Sequence, residues 1–416
     1  MTSPATTSPD QADFDRLQAR CAADGPDAMF DELAVSLAAR HRWHALFDAR
    51  LMQARVALGL APTGEIGSVP PDIRERLDER SLAACREAGW PLLEEGHVAA
   101  AWMYLRAAAE PAQVAAKLTD LAAGIEDAPD ADDEEAQRRL QELVGIALWE
   151  GVDPALGIRL VIRTQGTCNS ITAYEQAVSR LPAIRQQPAA AVLVEHLHHE
   201  LCTNLAADLE RRGLPLPAAH ATSPSLLALL EAAGGLKGDP SVHIDASHLQ
   251  AVLRIARVCT DEPTIRRCHE LACYGCRLPE DVTYPGEPPF ENVAEASRQF
   301  YGAQLGLDVA AAIGFFRAEA LKARIEEAGT LPADTLVVLL WRLGRPAEAL
   351  HAAVERPAGD GMPSTMQAAG MLPSLVELAT AAGDFEPLRR ACREKGDEIT
   401  FAATLAAECG RQASRT

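Results

Sequence analysis

Glu195, His196, His198, His199 and Glu200 stand within six consecutive positions, and a second group, His243, Asp245 and His248, follows further along the chain. Three of the eleven histidines thus fall within four residues. Imidazole with carboxylate is the ligand set of zinc, iron and manganese sites, so the expected cofactor is a divalent transition metal of this kind. Residues 189 to 212 carry no Gly or Pro, and Leu193, Leu197, Leu201 and Leu205 recur every four positions, which predicts a helix with a buried leucine stripe. At about 100° per residue, His196, His199 and Thr203 share a second face with Glu195 at its edge, whereas His198 points nearer the stripe. His196 and His199 are therefore the pair that can share one ion, with Glu195 or Glu200 as a further ligand or a general base. The order His-x-x-His-Glu differs from the His-Glu-x-x-His of zinc proteases, so that activity has no motif here.

Pro240 excludes a continuous helix through the second group. Asp245 reads as the N-cap of an apolar-periodic helix that follows it, which leaves His243 in the preceding loop and His248 in the first turn. A loop and a helix start can deliver ligands to a neighbouring helix. The candidate metal site is His196, His199, His243, Asp245 and His248, with Glu195 and Glu200 as candidate catalytic carboxylates. The competing account is plain: Asp245 only caps its helix, and each histidine is solvated or hydrogen-bonded in place.

Two thiol arrangements offer other chemistry. Cys168 lies in Thr164-Gln165-Gly166-Thr167-Cys168-Asn169-Ser170, ahead of a predicted helix whose N-terminus would lower a thiol pKa, so a Cys-His-Asn nucleophilic site is conceivable. The simpler account is a glycine turn with Asn169 or Ser170 as the cap. Cys273-x-x-Cys276 has no second ligand pair at a familiar zinc spacing, and Gly275 reads as the stop of its helix.

The elements that must position these groups are helices. Abundant alanine, 5% aromatic residues and few β-branched runs favour an all-α chain, and 416 residues suffice for a large core. Helices are predicted at 11–23, 27–40, 43–59, 72–88, 91–108, 189–212, 245–259, 262–275, 308–327, 332–342 and 346–355, among others. Residues 1–10 read as a disordered tail, 11–125 as an N-terminal helical region and 126–135 as an acidic connector. A central helical region, 136–304, carries the histidine and carboxylate groups, and 305–416 forms a C-terminal region of helical repeats. Tyr284 to Phe290 is too rich in proline for a helix, and it is expected to be an ordered loop anchored by its two aromatic ends.

A net charge of −20 repels phosphate backbones and anionic membrane surfaces, so generic nucleic-acid binding is not expected; a basic patch around Arg254, Arg257, Arg266 and Arg267 is the local exception. No apolar run is long enough to span a membrane, and the N-terminus lacks the pattern of a signal peptide, which makes the expected location cytoplasmic.

Three turns share a small-residue signature: Leu340-Trp341-Arg342-Leu343-Gly344-Arg345-Pro346, Leu378-Ala379-Thr380-Ala381-Ala382-Gly383-Asp384, and Leu92-Leu93-Glu94-Glu95-Gly96-His97-Val98. This resembles tetratricopeptide-like and related α-solenoid repeats, without their full Trp-x-x-Leu-Gly-x-x-Tyr register or a strict 34-residue period. The resemblance implies stacked helical hairpins in an irregular α-solenoid and a protein or peptide partner. Three functions follow as alternatives: a metal-dependent enzyme, a non-catalytic interaction scaffold, and a thiol enzyme centred on Cys168.

Overall fold

The computed structural model of the chain describes residues 11–65, 67, 69–126, 133–217, 225–234, 241–283, 290, 292–326, 329–356 and 364–413. Among these there are nineteen α-helices and no strand, as the composition and periodicity predict. The chain forms two compact units, Met1–Gly157 and Ile158–Thr416.

The first unit contains α1 (Gln11–Ala39), α2 (Trp43–Ala57), α3 (Pro71–Glu94), α4 (Val98–Ala108), α5 (Pro111–Glu126) and α6 (Asp133–Val144), which runs into a π-helical turn, Gly145–Trp149. α1 is broken at Gly25, where φ is +86°, so the two helices predicted on either side of Pro26 are joined end to end. Helix α3 runs through Pro91, across the boundary predicted between 88 and 91, and ends only before Gly96. Consecutive helices pack from α1 to α4, around a core that includes Phe30, Leu37 and Leu46. Part of the acidic connector, 127–132, lies outside the described residues.

From Pro154 the chain continues as α7 (Pro154–Ala173), a π-helical turn (Tyr174–Val178), α8 (Ala183–Arg211), α9 (Leu226–Ala232), α10 (Ala246–Ile255), α11 (Glu262–Gly275) and α12 (Val293–Gln304). There follow α13 (Val309–Glu326), α14 (Leu331–Arg342), α15 (Pro346–Val354), α16 (Thr365–Ala368), α17 (Leu375–Ala382), α18 (Glu386–Lys395) and α19 (Glu398–Ala413). The predicted leucine stripe of α8 is buried at all four positions. That stripe makes α8 a hub, with α9, α10 and α11 all packed on it. From α11 to α15 each helix packs on the next, then α15 on α17 and α17 on α19.

The turn glycines behave as their signature predicts. Gly96, Gly344 and Gly383 take φ of +83°, +69° and +73°, a left-handed conformation that costs a residue with a β-carbon about 1–2 kcal/mol. Gly275 acts otherwise: a β-carbon there would come within 2.7 Å of Ala294 Cβ, so this glycine lets α11 and α12 approach closely. Tyr284 lies outside the described residues, whereas Phe290 is buried and meets Phe316 of α13 edge to face at 6.0 Å.

Candidate functional site

Helix α8 sends its three neighbouring histidines to three different environments. His196 is half-buried, with Nε2 2.9 Å from Thr167 Oγ1 and 3.6 Å from Glu200 Oε2. Burial holds its imidazole below the usual range, against the opposing pull of Glu200. His199 and Glu195 are exposed, and Glu195 lies 3.8 Å from Arg267. His198 enters the core beside the leucine stripe. Its Nε2 lies 2.8 Å from Glu270 Oε2 on α11, and the same oxygen accepts the Leu226 N–H at 3.1 Å where α9 begins.

The second group is committed elsewhere. His243 Nε2 is 3.3 Å from Asp208 Oδ2, Nδ1 is 3.2 Å from the Tyr274 hydroxyl, and Asn204 donates to its carbonyl at 2.8 Å. Burial pushes the Asp208 carboxyl up, but hydrogen bonds from Arg212 and His243 outweigh it and leave the group below its ordinary range. Asp208 lies roughly 18 Å along α8 from His196 at 1.5 Å rise per residue, so His243 docks well away from the predicted pair. Asp245 caps α10, accepting the Ser247 N–H at 2.8 Å and the Ser247 hydroxyl at 2.6 Å. Its carboxyl is held low, first by that hydroxyl. His248 stays in the first turn of α10, half-buried. Among the described residues no three His, Cys, Asp or Glu side chains are grouped to hold a metal ion. No three of His196, His199, His243, Asp245 and His248 are so grouped, and His243 and Asp245 bond to Asp208 and Ser247 instead.

Near Cys168 the chain turns at Gly166, with φ +80° and ψ −178°, inside the span of α7. Asn169 and Ser170 do not cap the helix that continues beyond this break. Asn169 Nδ2 donates back to the Gln165 carbonyl at 3.0 Å, and Ser170 Oγ donates to that of Thr167 at 2.7 Å. The Cys168 thiol is exposed, and it is the neighbouring Thr167 that meets His196. Cys276 donates to Glu295 at 3.5 Å, and burial pushes its thiol up to about 12; burial also raises Cys273, which lies 3.7 Å from His269 Nε2. Burial thus disfavours the thiolate, the nucleophilic form, at both positions.

Two concave sites lie apart from the predicted site residues. In the first unit, Glu95 is shared by His41 Nδ1 and by Trp43 Nε1 at 2.9 Å, with His97 Nε2 4.0 Å away, beside a pocket of about 430 Å3. His41 holds a left-handed backbone, φ +55°, rare for a residue with a β-carbon. The signal was present as His41-Arg42-Trp43-His44, a run of ring and basic side chains at the predicted boundary between two helices. The other site is a groove of about 440 Å3 formed by α13, α14 and α15. Its apolar wall includes Leu336, Leu340 and Leu321, the last 58% exposed. Of its cations, Arg317 is paired with Glu348 at 2.8 Å, and Arg356 with the fully buried Asp334 at 2.6 Å. Arg324 and His351 also line the groove, and neither forms an ion pair among the described residues. The groove carried no such run, since it is assembled from separate helices.

Against known protein families, curated proteins and solved structures, the chain matches none.

Proposed function

We propose that the second unit is a non-catalytic scaffold that holds an acidic, partly apolar segment of a partner protein in the groove between α13, α14 and α15. The observation that carries this reading is the pairing of an exposed leucine and an apolar wall with Arg324 and His351, two basic side chains that meet no carboxylate among the described residues. Apolar contact supplies the affinity and the basic rim selects the charge. The net charge of −20 opposes an acidic partner at long range. Salt screens that opposition beyond about 8 Å at physiological ionic strength, so contacts inside the groove decide.

That no three of His196, His199, His243, Asp245 and His248 are grouped for a metal ion among the described residues favours this reading over a metal-dependent enzyme. The test uses the full chain and a fluorescent peptide alternating Glu and Leu. Saturable binding is expected, weakened about tenfold or more by Arg324→Glu with His351→Glu. Equal binding by the double variant would remove the groove from the function. Stoichiometric zinc, iron or manganese in protein purified without a histidine tag would return the enzyme reading to first place.

A further inference from the structure

The pocket of about 430 Å3 in the first unit is walled by the α1–α2 turn with the start of α2, the end of α3, and the start of α4. Its lining bears three imidazoles, His41, His44 and His97, and the Arg42 guanidinium, against one carboxylate, Glu95. The acidic excess of the whole chain, 59 residues against 39, is thus absent here. That one carboxylate is already engaged. Glu95 accepts from His41 Nδ1 on one oxygen and from the Trp43 indole N–H, at 2.9 Å, on the other.

His44 is anchored as His41 is, with Nδ1 2.6 Å from the Tyr104 hydroxyl. Burial pushes the pKa of that hydroxyl up and Asp48 adds to the rise, so it stays protonated. Both rings are therefore held at Nδ1 and keep Nε2 for another partner. Among the described residues neither Nε2 has one. His97 Nε2 stands 4.0 Å from Glu95 Oε2, and the exposed Arg42 side chain forms no ion pair or hydrogen bond among the described residues. His41 also carries a backbone cost. With φ +55° it holds the left-handed position that closes α1, where its N–H donates to the Ala38 carbonyl at 3.0 Å and glycine is the usual residue. Such outliers collect at functional sites, where the side chain repays the strain.

We propose that this pocket binds a small phosphomonoester, with the phosphoryl head among Arg42, His41, His44 and His97 and the ester group against Trp43 and Leu92. A phosphoryl head presents three oxygens in a tetrahedral array to donors that arrive from separate segments, whereas a carboxylate presents two in one plane. Its monoanion also carries a P–O–H, whose hydrogen a neutral imidazole Nε2 accepts; a sulfate ester has no such hydrogen. The volume lies within the range of about 300–1,000 Å3 of small-molecule sites.

Phenyl phosphate is the probe, titrated into the full chain near neutral pH at constant ionic strength and followed by calorimetry. One saturable site is expected, with phenyl sulfate at least about tenfold weaker, since it lacks the second charge and the acidic hydrogen. Inorganic phosphate should also bind more weakly, because it leaves the apolar wall uncovered. Arg42→Gln should weaken phenyl phosphate by about tenfold. His41→Gly separates function from structure: it removes one imidazole and relieves the left-handed backbone, so binding should fall by about tenfold while the urea midpoint holds or rises. The groove substitutions Arg324→Glu and His351→Glu should leave phenyl phosphate binding intact, which separates this site from the peptide groove. Equal affinity for phenyl phosphate and either phenyl sulfate or inorganic phosphate, binding that does not saturate, or full binding by Arg42→Gln or His41→Gly would overturn the proposal. So would a lower urea midpoint for His41→Gly, which would make that side chain part of the scaffold.

Discussion

Two histidine–glutamate contacts of the same chemistry sit in opposite surroundings. His198 and Glu270 have side chains 9% and 12% exposed, and they join α8 to α11 across 72 residues of sequence. His41 and Glu95 are 52% and 29% exposed, and they join the α1–α2 turn to the end of α3. In the first pair each partner has given up water, so either one left alone is a buried polar group without compensation. In the second, solvent can replace whichever partner is lost. The comparison teaches that burial sets the energetic weight of such a contact, and that the concentration of histidines on α8 was a signal of structure in at least one of its members.

The largest expected effect is at the buried contact. Glu270→Ala removes the acceptor of both His198 and the Leu226 N–H and should cost about 3 kcal/mol, read as a lower urea midpoint. A cost near that of an exposed substitution would mean that water enters and the two regions do not differ. Gly344→Ala provides a yardstick of intermediate size. Nothing lies within 4 Å of the added carbon, so the expected loss of about 1–2 kcal/mol is conformational alone. An unchanged midpoint there would show that the turn relaxes out of the left-handed region.

Acid should weaken the second unit through two other histidines. Burial lowers the imidazole pKa of His196 and of His269, the latter also through Arg298. The unfolded chain therefore takes up these protons first, near 6.5, and stability declines as pH falls from there toward the lowered folded values. Urea midpoints between pH 8 and 5 check this, and His196→Asn with His269→Asn should flatten the decline. A midpoint that rises on acidification would contradict it. The smallest effect belongs to the exposed pair: a double-mutant cycle on His41 and Glu95 should yield a coupling below about 0.5 kcal/mol that shrinks further in salt. A coupling as large as that of His198 with Glu270 would erase the distinction between the two regions.

Much of the architecture was legible along the chain. Helix α11 occupies the predicted 262–275, the leucines of α8 are buried as their spacing requires, and Asp245 caps α10. The errors have local causes. The predicted boundaries between 88 and 91 and before 189 are displaced, since α3 and α8 both absorb an internal proline, Pro91 and Pro188, where tertiary packing offsets one lost backbone hydrogen bond. At the candidate site, helical periodicity turns His198 toward the stripe and His196 toward another face, as the structure has them, but it holds no information on what stands opposite either.

Alone, the sequence determined the helical class, the buried stripe of α8, and the left-handed turns at Gly96, Gly344 and Gly383, since periodicity and backbone preference act over a few residues. Only the tertiary structure decided that His198 meets Glu270, that His243 meets Asp208, and that His41 and Trp43 meet Glu95. Those meetings depend on where whole helices cross and how far along its axis each side chain stands, a sum of many packing contacts that no short stretch of residues contains.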